Sequence, residues 1–229
     1  AIICPQSEPE LPRSDNCLVA NVYVPDTNKT DLPVMVIVHG GAFQTGAGSY
    51  ISPLNLIRDI IVVTFNYRVG VYGFLCLGIE DAPGNAGMKD QVAALRWINR
   101  NIRQFGGNPD DVTLTGCSAG GVAVDLLRIV SVTDGLFNKV VTGSGASLGP
   151  FSVQVDPIQN AKIYARELGF LPEGSTLPAW PPANASRSPH MAIGSSISLQ
   201  GPLYQRRATF WDQIYEKYYR VPVPPCNSQ

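Results

Sequence analysis

Hydrophobic positions follow two alternating patterns along much of the chain. PVMVIVHGG (33–41) is a near-continuous apolar run ending in glycines, and DIIVVTFNYR (59–68) reads the same way. Runs of this kind suit strands buried on both faces. KDQVAALRWINRNIRQFGG (89–107) instead sets Val92, Leu95, Ile98, Ile102 and Phe105 at three-to-four spacing. That spacing predicts one apolar helix face, with Gly106-Gly107 as the stop. DVTLTG (111–116) reads as a strand, GGVAVDLLRIV (120–130) as a helix and NKVVTGSG (138–145) as a strand. DPIQNAKIYARELG (156–169) follows as a helix that Asp156 can cap. The alternation predicts an α/β fold, a mostly parallel sheet with helices on both faces. GSTLPAWPPANASRSPH (174–190) is Pro/Ser-rich and predicts a connection, and PLYQRRATFWDQIYEKYYR (202–220) a last helix with an aromatic docking stripe. The expected organisation is a core over 1–172, a junction over 173–201, and a C-terminal helix and tail over 202–229.

Composition narrows the function classes. The 229 residues are 45% hydrophobic, enough for one real core. Seventeen basic residues against 18 acidic give a net charge of −1, which recommends neither nucleic acid nor a membrane surface as partner. No apolar run approaches the roughly 20 residues of a membrane helix. The chain starts without Met or a signal-peptide pattern, as a processed or truncated product does. Asn28-Lys29-Thr30 and Asn184-Ala185-Ser186 are glycosylation acceptor patterns and point to the secretory route. Cys4 and Cys17 lie close together in a Pro/Ser-rich segment without a nearby histidine. A disulfide there would contribute about 3 kcal/mol; two free thiols are the other reading of the residues alone. Cys76 and Cys117 are expected to be buried thiols, and Cys226 lies in the tail. No cluster has ligand spacing, so neither a metal nor an organic cofactor is implied.

The chemistry concentrates in two glycine motifs. Gly116-Cys117-Ser118-Ala119-Gly120 is a G-x-S-x-G pattern at a strand-to-helix junction. Such a turn is so sharp that side chains two residues either side of the serine collide. It lifts Ser118 to the carboxyl end of the sheet, where free N–H groups of the next helix favour negative charge. His39-Gly40-Gly41-Ala42-Phe43 follows another predicted strand. A glycine loop there can aim backbone N–H groups at an oxyanion.

HGGAF, FNYRVGVYGFLCLG, APGNAGMKDQVAALRWINRNIRQFGGNPDDVTLTGCSAGG and CPQ…SDNCLVANVYVP together resemble the type-B carboxylesterases, the cholinesterase-like α/β-hydrolases. The flavour is that of insect carboxylesterases. The resemblance implies a serine hydrolase that cleaves a small carboxylic ester through an acyl-enzyme on Ser118. It implies Gly41, Ala42 and Ala119 as oxyanion donors, and a Cys4–Cys17 disulfide. Cys117 stands where the family commonly has Glu, or Gln in juvenile hormone esterases, which argues against juvenile hormone as the substrate.

The family's chains run to about twice this length or more. Its triad acid and histidine, and its first strands, fall in regions this chain lacks. His39 belongs to the oxyanion loop by its motif, and His190 lies in a tail segment, SRSPHMAIG, that resembles no triad histidine. The chain is therefore expected to be inactive as it stands, with open sheet edges and bare apolar surface. A non-catalytic, esterase-like binding or adhesion protein is the alternative.

Overall fold

The computed structural model describes residues 2–6, 11–79 and 82–168. Asn184, His190, the 174–190 segment, Cys226 and the expected helix over 202–220 lie outside them. Two compact units are present. The first comprises the described residues up to Phe74 together with Ala86–Gln154.

Its centre is a five-stranded sheet in the order β1-β3-β2-β6-β7, formed by β1 (Ala20–Tyr23), β2 (Leu32–Val38), β3 (Ile61–Phe65), β6 (Gly107–Cys117) and β7 (Lys139–Gly143). The β3–β2, β2–β6 and β6–β7 pairs are parallel, and only β1 runs antiparallel. All five residues of β3 are buried, as the unbroken apolar run predicts. Since successive side chains face opposite ways, both faces at that point are covered.

Short helix α1 (Gly70–Phe74), helix α2 (Ala86–Asn101) and helix α3 (Ala119–Ile129) complete this unit. Leu95, Ile98 and Ile102 from the α2 segment join Val124 and Leu127 of α3 and the strand residues Val36, Val63 and Leu114 in one core. The last turn after α2 tightens to 3-10 over Ile102–Phe105. Gly106 then takes a left-handed φ of 83°, and its N–H caps the carbonyls of Ile102 and Arg103, as the glycine pair foretold.

The second unit holds the two-stranded antiparallel pair β4 (Cys76–Ile79) and β5 (Ala82–Pro83), with helix α4 (Pro157–Glu167) packed on β4. Asp156 caps α4 by accepting the Gln159 N–H at 3.2 Å.

Two cysteine expectations are corrected. Cys76 is buried but disulfide-bonded, not a free thiol. Cys117 is free and exposed. From Val112 onward the buried positions along β6 are Val112, Leu114 and Gly116, so the strand's two-residue period puts Cys117 on the other side. Cys4 and Cys17 form the disulfide. At the far edge of the sheet β7 has no outer strand partner among the described residues, and its Val141 is 56% exposed. Asn28 lies in a bend, and Asn28, Lys29 and Thr30 are all exposed.

Candidate active site

β6 delivers Ser118 to the carboxyl end of the sheet, and α3 begins at the next residue. Ser118 adopts φ 57° and ψ −126°, a conformation that costs a non-glycine residue about 1–3 kcal/mol. The surroundings impose it. A Cβ at Gly116 would overlap the Gly120 carbonyl, and one at Gly120 would overlap the Val38 carbonyl. The Ser118 N–H donates to the Gly143 carbonyl at 2.8 Å, anchoring the turn to β7. The side chain is exposed and makes no cap bond to its helix. About two turns along α3, Asp125 accepts from the Ser147 N–H at 2.8 Å and from Arg128, and the Ser147 bonds hold its carboxyl down at about 2.

The loop after β2 folds back onto this turn. An added Cβ at Gly40 would lie 2.7 Å from the Cys117 carbonyl oxygen and 3.4 Å from Ser118 Cβ. Only glycine allows so close an approach. Gly41, Ala42 and Phe43 all have positive φ, at 113°, 56° and 59°. Among the described residues no acceptor engages the N–H of Gly41, Ala42 or Ala119. The carbonyl of Gly41 instead accepts from Gln44 and Thr45, closing the loop on itself.

His39 supports the loop from inside. It is buried, stacked on Tyr67 with ring centroids 4.1 Å apart, and the Tyr67 hydroxyl donates to the His39 carbonyl. Nδ1 lies 2.8 Å from the Gly40 carbonyl, which can only accept, so Nδ1 carries the proton. Nε2 is buried with no partner among the described residues. Burial lowers the His39 pKa to about 4, against the smaller upward pull of the Gly40 bond. The same burial pushes the Tyr67 phenol up.

A pH dependence follows. Unfolded, His39 takes up a proton near pH 6.5; folded, it resists until about 4. Its contribution is complete above pH 6.5 and is lost as pH falls toward 4, a change of about 3 kcal/mol. Urea titrations at pH 7 and pH 4 should show this loss, and His39→Gln should flatten it.

Gly40 thus brings the loop that carries Gly41 and Ala42 against the turn that carries Ser118 and Ala119. No imidazole or carboxylate among the described residues bonds to the Ser118 hydroxyl, and His39 is committed to Gly40. Sequence reasoning missed Gln6 and Asn66, which hold the loop from outside through Gly46 and Gly48. No local signal marks them, because their partners lie 18 to 64 residues away.

A strand-turn-helix serine faced by a glycine loop is one constellation, and the comparison with known sequences decides its lineage. The sequence profile of the carboxylesterase family matches residues 3–180. The chain belongs to the carboxylesterase family. Family relatives include a carboxylic ester hydrolase of Bombus ignitus, 41% identical over 168 residues, covering 72% of this chain and 30% of that protein. A para-nitrobenzyl esterase of Bacillus subtilis (strain 168) is 48% identical over 159 residues, covering 63% of this chain and 32% of that one. Among solved carboxylesterase-family structures, juvenile hormone esterase from Manduca sexta, with OTFP covalently attached, aligns with a TM-score of 0.68. It is 38% identical, and the match covers 75% of this chain and 35% of that one. The fold is thus that of the α/β-hydrolase esterases, and the chain spans about a third of the length of these family members.

Proposed function

We propose that this chain carries the nucleophilic half of a carboxylic ester hydrolase. The observation that carries the reading is the contact of Gly40 with the Ser118 turn, with the N–H groups of Gly41, Ala42 and Ala119 unengaged in the two joined segments. Ser118 Oγ attacks the ester carbonyl carbon, and the electron pair moves onto the carbonyl oxygen. The N–H groups of Gly41, Ala42 and Ala119 stabilise that oxyanion, each worth about 3 kcal/mol by analogy with other hydrolases. Collapse breaks the ester C–O bond, the alcohol leaves with the serine's proton, and the acyl group stays on Ser118. Water then repeats the attack, releases the acid and restores the hydroxyl. The esterase relatives and the covalent attachment in the Manduca sexta protein support this reading.

The proton needs a carrier. His39 is held by Gly40 and Tyr67, so it does not fill that role. We propose that the 229-residue chain alone turns over esters weakly or not at all. In a serine protease, loss of the base costs on the order of 10⁶ in turnover; donors and binding alone leave roughly 10³ to 10⁴ over water. Secretion is proposed with it, supported by the Cys4–Cys17 disulfide and the exposed Asn28 acceptor site.

The test is reaction of the purified chain with a fluorophosphonate, read by intact mass, beside Ser118→Ala. One adduct that disappears in the variant supports a working nucleophile, and then His190→Ala asks which imidazole serves it. No adduct on a chain folded by circular dichroism means the serine lacks a base, and ester binding without turnover becomes the reading to pursue.

A further inference from the structure

The loop over 39–48 is held from behind by two side-chain amides that do not belong to it. Gln6 Nε2 donates to the Cys4 carbonyl and to the Gly46 carbonyl, both at 3.0 Å, and Gln6 Oε1 accepts the Gly46 N–H at 2.7 Å. Asn66 Nδ2 donates to the carbonyls of Ile2 and Cys17 at 2.9 Å, and its Oδ1 accepts the Gly48 N–H at 2.9 Å. The Cys4–Cys17 disulfide ties the two anchoring segments together.

Gly46 is the point of transmission. Its φ is 113°, and a Cβ there would overlap both the Gly40 carbonyl oxygen and His39 Nδ1. The Gly40 carbonyl is therefore fixed by two neighbours, the His39 N–H that donates to it and the Gly46 backbone that crowds it. A trans peptide is planar, with its N–H pointing opposite its C=O. Whatever fixes the Gly40 carbonyl also fixes the direction of the Gly41 N–H. Gly40 cannot retreat the other way, because Cys117 and Ser118 stand there.

We propose that Gln6 is a positioning residue for the Gly41 N–H, acting through Gly46 and the Gly40–Gly41 peptide. This rests on the reading of Gly41 as an oxyanion donor; the mechanical link does not. Gln6 touches no substrate in this scheme. Its two bonds to one glycine set where the loop stands, and the disulfide sets where Gln6 stands.

The experiment is amide hydrogen exchange by NMR on the full chain, with fluorophosphonate labelling kinetics on the same samples. In Gln6→Ala, amides of Gly40 to Gly46 should exchange about tenfold faster, while those of β2 and β6 keep parental rates. The first-order labelling constant of Ser118 should fall about tenfold, with the half-saturating reagent concentration unchanged. Gln6→Glu keeps the acceptor for the Gly46 N–H, gives up both donations, and should fall between. Unchanged loop exchange overturns the proposal. So does faster exchange spread equally over β2 and β6 in both variants, since Gln6 would then hold the domain and not the loop. Looser loop amides with an unchanged labelling constant also overturn it. A parent chain that is never labelled, with loop exchange still responding to Gln6→Ala, supports the mechanical link and shows separately that Ser118 lacks a base.

Discussion

Gly120→Ala should cost about 3 kcal/mol of stability and abolish covalent labelling of Ser118. Helix propensity alone argues the other way, since alanine at an interior helix position gains about 1 kcal/mol over glycine. Geometry decides the sign. The new methyl would overlap the Val38 carbonyl and lie 3.0 Å from the His39 carbonyl carbon and oxygen. These are backbone atoms at the end of the central strand β2, so relief requires moving either the sheet or the start of α3. If α3 gives way, Ser118 moves with it, because the serine is the residue on which that helix begins. Urea unfolding followed by circular dichroism reads the first effect and intact mass the second. A variant with parental stability and labelling would mean the turn has room that the structure does not show.

Asp90→Ala should be the most damaging charge substitution, at about 4 kcal/mol. The Asp90 side chain is 1% exposed in α2 and accepts three bonds from Arg68: from the backbone N–H at 3.0 Å, Nε at 2.8 Å and Nη2 at 2.7 Å. Arg68 follows β3, and its carbonyl occupies the space where Gly73 of α1 and Gly87 of α2 would carry side chains. One carboxylate thus joins the end of a central strand to two helices. Deleting it takes three bonds away from Arg68, two of them from its partly buried guanidinium, whereas Asp90→Asn retains the shape and should cost about half as much. Because the pair is sheltered, its contribution should change little between 0.05 and 0.5 M salt. Urea midpoints at the two ionic strengths check both statements. By contrast the exposed Lys29–Asp59 pair should be nearly silent when removed.

Much of this was legible in the sequence where a rule leaves one solution. The unbroken apolar runs of β2 and β3 suit only a strand covered twice, and the glycines at 116 and 120 suit only a turn too tight for side chains. Gly106 ended the α2 segment for the same local reason. Short edge elements gave no such signal. β1 is four residues long, at best half-buried, and takes its identity from pairing with β3. β4 and β5 are too brief for a period to show. β6 begins at Gly107, earlier than its apolar run, since pairing of Gly107 with Leu32 extends the ladder through residues that locally read as a turn. Cys117 was misjudged because an apolar neighbourhood in sequence does not fix which side of a strand's last residue faces solvent. The support behind the glycine loop was out of reach altogether. Gln6 meets Gly46 across 40 residues and Asn66 meets Ile2 across 64, and amides carry no pattern that announces a distant partner.

The exposed thiol of Cys117 has a practical corollary, because it adjoins Ser118 in a chain whose glycine loop leans on a disulfide. Without reductant, that thiol can oxidise, and the adduct would crowd the serine. With strong reductant, the thiol is preserved but the buried Cys4–Cys17 link is reduced whenever its segment opens, and the anchor of Gln6 goes with it. The redox poise of the buffer is therefore a variable to be set as deliberately as pH. Preparations that differ only in dithiothreitol would be chemically different proteins at the nucleophile.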